Sequence, residues 1–221
     1  DHLLDLTEPC VMGVLNFTPD SFSDGGCYAD AAAAIERGVA MAGEGAAIID
    51  VGGESTRPGA AEVGVQEEIE RVVPVIEALV RRVRVPVSID TSKPEVMRAA
   101  IAAGASLVND VKALRAPGAL EAVAGTDAAV CLMHMQGEPR TMQAAPSYGD
   151  VVGEVRRFLV ERVRACVAAG IGRERISVDP GIGFGKQPGH NLALLAAIDR
   201  LADPDLPVLI GVSRKSLVGI I

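Results

Sequence analysis

Seven apolar runs in this chain end in polar groups: Asn16, Asp50, Asp90, Asn109 with Asp110, His134, Asp179, and Ser213 followed by Arg214 and Lys215. Three of these, Asp90, Asn109 and Asp179, are two carboxylates and a carboxamide. Together they could accept the adjacent N–H donors of a heterocycle such as a 2-amino-4-oxo pyrimidine, one carboxylate taking two donors at once. A buried site of this kind rejects analogues that lack the donors, because its own polar groups would then go unpaired.

The segments after these runs carry further reactive types. Asn16-Phe17-Thr18-Pro19-Asp20-Ser21-Phe22-Ser23-Asp24-Gly25-Gly26 is polar and turn-rich; it could close on a ligand with Phe22 while Asp20 or Asp24 supplies charge. Gly52-Gly53-Glu54-Ser55-Thr56-Arg57-Pro58-Gly59 holds hydroxyls, glycine amides and one guanidinium, which are the ingredients of an anion site, although its spacing is neither that of a P-loop nor GxGxxG. Asp179-Pro180-Gly181-Ile182-Gly183-Phe184-Gly185-Lys186 alternates glycines that permit positive φ. There Phe184 offers an aromatic face, and Lys186 either meets an anion or sits in solvent. Arg214 and Lys215 open the segment after the last run and suit a phosphate or a ring carbonyl. His134 stands without a second His or Cys nearby, so a satisfied structural histidine is the simpler reading. No zinc-type spacing and no Ser–His–Asp arrangement can be read from the sequence.

Elements that alternate must position these groups. Strands are expected at Val11–Phe17, Ala47–Gly52, Val85–Asp90, Ser106–Asp110, Ala128–Met135, Ile176–Asp179 and Val208–Ser213. Helices are expected at Asp30–Glu44, Gln66–Arg84, Pro94–Ala103, Pro117–Ala124, Asp150–Ala169 and Asn191–Ala202. Ser92 is a possible cap before Pro94 and Glu95, and Gly104 and Gly170 are C′ glycines. Strand–helix alternation means an α/β fold with a parallel sheet. Length favours an open sheet, since a barrel needs eight strands and only seven are visible. Polar groups at every strand end favour a (β/α)8 TIM barrel, which gathers all the ends around one mouth.

The composition narrows the function. With 21 basic and 29 acidic residues the net charge is −8, and there is no dense basic patch, which argues against nucleic acid and anionic membranes. No apolar run is long enough to span a bilayer, and no basic-then-apolar leader precedes Val11. Cys10, Cys27, Cys131 and Cys166 form no CxxC pair and read as reduced thiols of a cytoplasmic protein. Aromatics make up 3% of the chain, so the core must be built from Ala, Val, Leu and Ile.

The series Val11–Gly26, Asp50–Gly59, Ser88–Pro94, Met133–Gly137, Asp179–Lys186 and Ser213–Ser216 resembles the motifs of bacterial dihydropteroate synthases, in the same order and over essentially all of the chain. The resemblance implies a pterin-binding TIM barrel, one domain over residues 1–221. It implies condensation of 7,8-dihydropterin-6-ylmethyl pyrophosphate with 4-aminobenzoate to 7,8-dihydropteroate and pyrophosphate, with sulfonamides as mimics of the aminobenzoate. By the same resemblance Asp90, Asn109, Met133, Asp179 and Lys215 contact the pterin. Asn16 is a Mg²⁺ ligand, and Asn16, Thr56 and Arg57 meet the pyrophosphate. Phe22, Thr56, Pro58, Phe184 and Ser213 form the aminobenzoate pocket. Asp20, Asp24, Arg57 and Lys215 act in catalysis, the first two by stabilising a pterin cation formed as pyrophosphate leaves in an SN1-like reaction. The family forms homodimers through later barrel helices.

One departure stands out: the family's full seventh helix and eighth βα unit are not seen here. An open barrel would fold poorly or turn over slowly. Two other readings remain, a folate-binding methyltransferase domain and a catalytically impaired pterin-binding fragment.

Overall fold

Parallel strands buried on both faces need runs that are apolar throughout, and Ile48-Ile49-Asp50-Val51-Gly52 is such a run with one carboxylate inside it. It forms β2 (Ile48–Gly52), all five residues buried. The structure, a computed structural model, describes residues 4–17, 26–55, 62–138, 141–201, 206–213 and 215, with backbone alone for 26–30. Six parallel strands alternate with helices in it: β1 (Met12–Asn16), α1 (Gly26–Gly43), β2, α2 (Val65–Arg82), β3 (Val87–Asp90), α3 (Pro94–Ala102), β4 (Leu107–Asp110), α4 (Ala119–Ala124), β5 (Ala129–Met133), α5 (Val151–Ala168), β6 (Ile176–Asp179), α6 (Pro188–Leu195) and α7 (Ile198–Leu201). Residue contacts group these into two compact units.

The first unit comprises Asp1–Ser55, Ala61–Asn109 and Ala116–Ala129. In it β1 pairs with β2, β2 with β3 and β3 with β4, all parallel. Helix α2 buries Val72, Val75, Ile76 and Leu79, the stripe that a 3.6-residue period places on one face. Helix α1 approaches closely at Gly38, where an added Cβ would stand 2.7 Å from a Leu79 methyl. The expected cap of α3 shifts by one: Lys93, not Ser92, is the N-cap, and Pro94 follows in the first turn, where its missing N–H costs nothing. Gly104 has the positive φ, +105°, that its C′ role demands.

The second unit comprises Thr56–Ala60, Asp110–Arg115 and Val130–Ile221. There β5 pairs with β6 in parallel. Helix α5 starts on the Asp150 carboxylate, which accepts from the Gly153 amide at 3.0 Å, and buries Val155, Leu159, Val163 and Cys166.

Two expectations are corrected here. The seventh strand, Val208–Ser213, is reduced to one parallel bridge between Val208 and Val178. The Val178 amide donates to Pro207 O at 3.0 Å and Val178 O accepts from the Leu209 amide at 2.8 Å, after which the described ladder stops. Proline contributes no N–H at its start, and Ser213 is an exposed turn. The helix expected at Asn191–Ala202 starts earlier and divides into α6 and α7. Gln187 and His190 form a capping box that fixes the start at Pro188. Among the described residues no helix is long and apolar enough to cross a membrane.

Replacing Leu79 by Ala removes a fully buried side chain at the contact of α1 and α2. It is expected to lower unfolding free energy by about 2–5 kcal/mol, read by chemical denaturation; a change under about 1 kcal/mol would mean this face is not a packed core.

Candidate active site

Strand pairing sets the polar row of the first unit. In register, Asn16 stands opposite Gly52, Gly52 opposite Asp90, and Asp90 opposite Asn109. The side-chain period of two puts all four positions on one face of the sheet, in one row at the C-terminal ends of β1 to β4. Glycine keeps that row open: a Cβ at Gly52 would lie 3.2 Å from Asn16 Oδ1 and 3.7 Å from Asp90 Cβ. One layer deeper, the Asp50 carboxylate accepts from Asn109 Nδ2 at 2.9 Å. That bond turns Asn109 so that its Oδ1 is left as an acceptor. Burial pushes the Asp50 carboxyl up, while Ser88 and Asn109 pull it down.

Around the row, Lys93 ties the loop after β2 to α2. Its ammonium donates to Glu54 Oε2 at 2.5 Å and to the buried Glu68 carboxylate. Glu54 Oε1 in turn accepts from the Val63 amide at 3.2 Å. One carboxylate thus grips the chain on both sides of residues 56–61.

In the second unit Met133 stands opposite Asp179 in register, and the His134 amide donates to Asp179 O at 2.9 Å. Asp179 is buried, and its Oδ1 accepts from the Gly181 amide at 2.6 Å. Burial pushes its carboxyl up to about 6, against the Gly181 amide and the positive charges of Lys215 and Lys186. Met133 packs with Val111, Met135 and Met142, and Phe184 lies against this cluster. The Lys215 ammonium sits 4.6 Å from the centre of the Phe184 ring and donates to Ile182 O. Burial lowers its pKa. Ser213 is exposed, two residues away.

A strained segment presents Val111. Ala113 and Leu114 both have φ near +54°, a region that costs a side chain on the order of 1 kcal/mol or more. The Asp110 carboxylate holds them by accepting the Lys112 and Leu114 amides at 2.8 and 2.7 Å, and Arg162 donates to the carbonyls of Ala113 and Leu114 at 2.8 and 3.1 Å.

The structure therefore brings Asn16, Asp90 and Asn109 together in one unit, and Met133, Asp179, Phe184 and Lys215 together in the other. Asp20, Phe22, Asp24, Thr56, Arg57 and Pro58 lie outside the described residues. Lys186 is not solvated: it is 3% exposed, with its Nζ bonded to His134 Nδ1 at 3.0 Å and to three backbone carbonyls. Its four acceptors and its fixed place among glycines leave it no route to water. Sequence reasoning placed Asp50 at a strand end but did not see its role, which is to engage the Asn109 amide from one layer below.

The chain as a whole matches a family. Residues 12–221 fit the model of the pterin binding enzymes. The chain belongs to the pterin binding enzyme family. Within the family it is 55% identical over 216 residues to the dihydropteroate synthase of Escherichia coli strain K12, covering 98% of this chain and 77% of that one. Among solved structures it superposes on the Yersinia pestis dihydropteroate synthase with a sulfonamide drug complex at a TM-score of 0.92, with 53% identity and coverage of 98% and 79%. The Xanthomonas albilineans dihydropteroate synthase in complex with 7,8-dihydropteroate gives 0.87, with 52% identity and coverage of 98% and 77%. The α/β fold class of this family member is that of the TIM-barrel enzymes among these neighbours, and its function is that of the dihydropteroate synthases, transferases of folate biosynthesis.

The Asp179 carboxyl should titrate by ¹³C NMR with a midpoint near 6 rather than at its ordinary 3.8. The folded chain then holds this proton more tightly than the unfolded chain. This group accordingly makes the fold less stable as pH rises from 3.8 to about 6, and adds nothing further above that. A midpoint near 4 would mean the carboxylate is solvated.

Proposed function

We propose that this chain joins 7,8-dihydropterin-6-ylmethyl pyrophosphate to 4-aminobenzoate, giving 7,8-dihydropteroate and pyrophosphate. The observation that carries the reading is the alignment of acceptors at strand ends: Asp90 beside Asn109 in register, and Asp179 beside Met133. We assign Asp90, Asn109, Met133, Asp179 and Lys215 to the pterin. The ring presents N–H donors at its amino and pyrimidine edges, and acceptors held by neighbours suit them. Asn109 has its amide nitrogen engaged by Asp50, so its oxygen faces a donor. Asp179 with a midpoint near 6 is ionised at neutral pH and can take two N–H groups. Lys215 supplies a cation to a ring nitrogen or carbonyl, and Met133 gives a polarisable apolar surface to the ring face.

The resemblance assigns Asn16, Thr56 and Arg57 to the pyrophosphate, and Phe22, Thr56, Pro58, Phe184 and Ser213 to the aminobenzoate. Lys93 holding Glu54 supports the loop that carries Thr56, Arg57 and Pro58, because it fixes the chain just before and just after them. Phe184, under the Lys215 ammonium, offers a ring for the aminobenzoate to pack on.

Magnesium fits this site in a limited way. Among the described residues no three His, Cys, Asp or Glu side chains cluster as a metal cage. Asn16 provides one neutral oxygen at a strand end, beside the space that Gly52 leaves. That suits a hard cation which takes its other oxygens from phosphate and water. When bound, the ion would neutralise charge on the departing pyrophosphate. Arg57 adds positive charge to the same group. Asp20 and Asp24 are assigned to the methylene-pterin cation left behind, which the aminobenzoate amine then attacks without a covalent enzyme intermediate.

The described Cys10, Cys131 and Cys166 are all free thiols, which supports a cytoplasmic setting. The family resemblance further supports a homodimer.

Pyrophosphate release tests the reading. With both substrates and Mg²⁺ present, release should occur and should be suppressed by a sulfonamide that competes with 4-aminobenzoate. Slow release with the pterin pyrophosphate alone is expected if the C–O bond breaks first. Asp179→Asn should lower kcat/KM by roughly 100-fold, the cost of a charged acceptor in a buried site. In the wild type kcat/KM should fall tenfold per pH unit below about 6, as Asp179 takes up its proton. Release that ignores the sulfonamide, or binding of pterin without any release, would contradict the proposal.

A further inference from the structure

Five consecutive backbone carbonyls after β6 each meet a side-chain donor. Gly181 O and Phe184 O accept from Lys186 Nζ, both at 2.9 Å. Ile182 O accepts from Lys215, Gly183 O from Gln143 Nε2 at 2.5 Å, and Gly185 O from Tyr148 Oη at 2.8 Å. A loop in which five carbonyls in a row are claimed has little freedom to take another shape. Positive φ at Gly181, Gly183 and Gly185, between +60° and +82°, is what turns successive carbonyls toward these donors.

Lys186 is the centre of this arrangement. Besides the two loop carbonyls, its ammonium reaches His134 O at 3.2 Å and His134 Nδ1 at 3.0 Å. It thereby joins the loop after β6 to the chain immediately after β5. An ammonium has three protons for these four acceptors, so none of its donors is wasted. The His134 ring is neutral, since burial and then the charge of Lys186 lower its pKa to about 3, and its Nδ1 is the acceptor. Burial, opposed by the Asp179 charge, lowers the Lys186 amine to about 7, so the ammonium is the dominant form below that pH, and there a charge this deeply buried is costly unless solvated by its neighbours. The loop carbonyls and His134 are that solvation, and they must stay where the charge holds them.

We infer that Lys186 is a positioning residue for the pterin: its buried ammonium fixes the Asp179–Gly185 loop against Met133–His134, and Tyr148 shares the role by holding the loop's far end. This rests on the assignment of Asp179 and Met133 to the pterin made above. In this role Lys186 is not itself a pterin contact. It acts through the placement of the Asp179 carboxylate and the Met133 side chain. It also acts on charge, because among the described residues the cations facing Asp179 are Lys215 and Lys186, alongside the Gly181 amide.

The test is equilibrium binding of pterin itself, with no 4-aminobenzoate, to the wild type, Lys186→Met, Tyr148→Phe and Val163→Ala. The last removes buried volume on α5 and none of the loop's hydrogen bonds. Lys186→Met keeps the stem and removes the ammonium; it should weaken pterin roughly 10- to 100-fold, and Tyr148→Phe about 3-fold, the effects of losing charged and neutral hydrogen bonds. In Lys186→Met the Asp179 midpoint should move above its wild-type position, since a neighbouring cation is gone. Val163→Ala should bind pterin as the wild type does, with a lower Tm. A folded Lys186→Met that binds like Val163→Ala, or that leaves the Asp179 midpoint in place, overturns the inference. Should Lys186→Met fail to fold, Tyr148→Phe decides, and unchanged pterin affinity in it overturns the inference. A wild type that does not bind pterin at all instead overturns the assignment of Asp179 and Met133.

Discussion

In each unit the candidate functional groups depend on parallel strands pairing in register with a side-chain period of two. That constraint places Asn16, Gly52, Asp90 and Asn109 in one row, and Met133 opposite Asp179. A slip of one residue in any of these strands would turn its polar end residue into the opposite face and carry an apolar neighbour into the row. The apolar runs forbid that slip. β2 is buried at all five positions, so its register is set by packing on both faces. The cost is that a carboxylate, Asp50, must be buried with it, and Asn109 answers that carboxylate with its amide.

The same logic governs the charges. Each buried ion at the site has partners that keep it from being orphaned: Asp179 has the Gly181 amide, Lys186 has three carbonyls and an imidazole, and Glu68 has Lys93. Breaking one such pairing leaves the other member stranded, so these groups constrain geometry more than they add stability. Burial also moves the acid and the amine toward one another in pH. Burial raises the Asp179 carboxyl to about 6 and lowers the Lys186 amine to about 7, each partly restrained by the opposite charge of the other. A pair of this kind responds to any change in nearby charge, including arrival of a ligand.

Much of this was legible in the sequence for physical reasons that act locally. Apolar runs ending in Asn16, Asp90, Asn109 and Asp179 are strands because β-branched residues fill buried parallel sheets, and the polar residue marks where the sheet meets the loops. Gly104 and Gly170 were readable as C′ positions, since positive φ is a local demand. What escaped was set by distant partners. Lys186 meets His134, 52 residues earlier, and Lys93 meets Glu54 across 39. Nothing within a few residues distinguishes such a lysine from a solvated one. The seventh strand failed for a related reason: its apolar pattern is correct, but a strand exists only where a partner supplies a ladder, and Val208 alone has one.

The central claim is that acceptors at the strand ends, the buried Asp179 carboxylate among them, recognise the donor edge of a pterin. Calorimetric titration of the chain with pterin and with its 2-deamino analogue addresses it most directly. Losing the exocyclic N–H donors should leave a buried carboxylate unpaired and weaken binding roughly 100-fold or more. Equal affinity for the two compounds would contradict the claim, because it would mean that shape and stacking alone hold the ring.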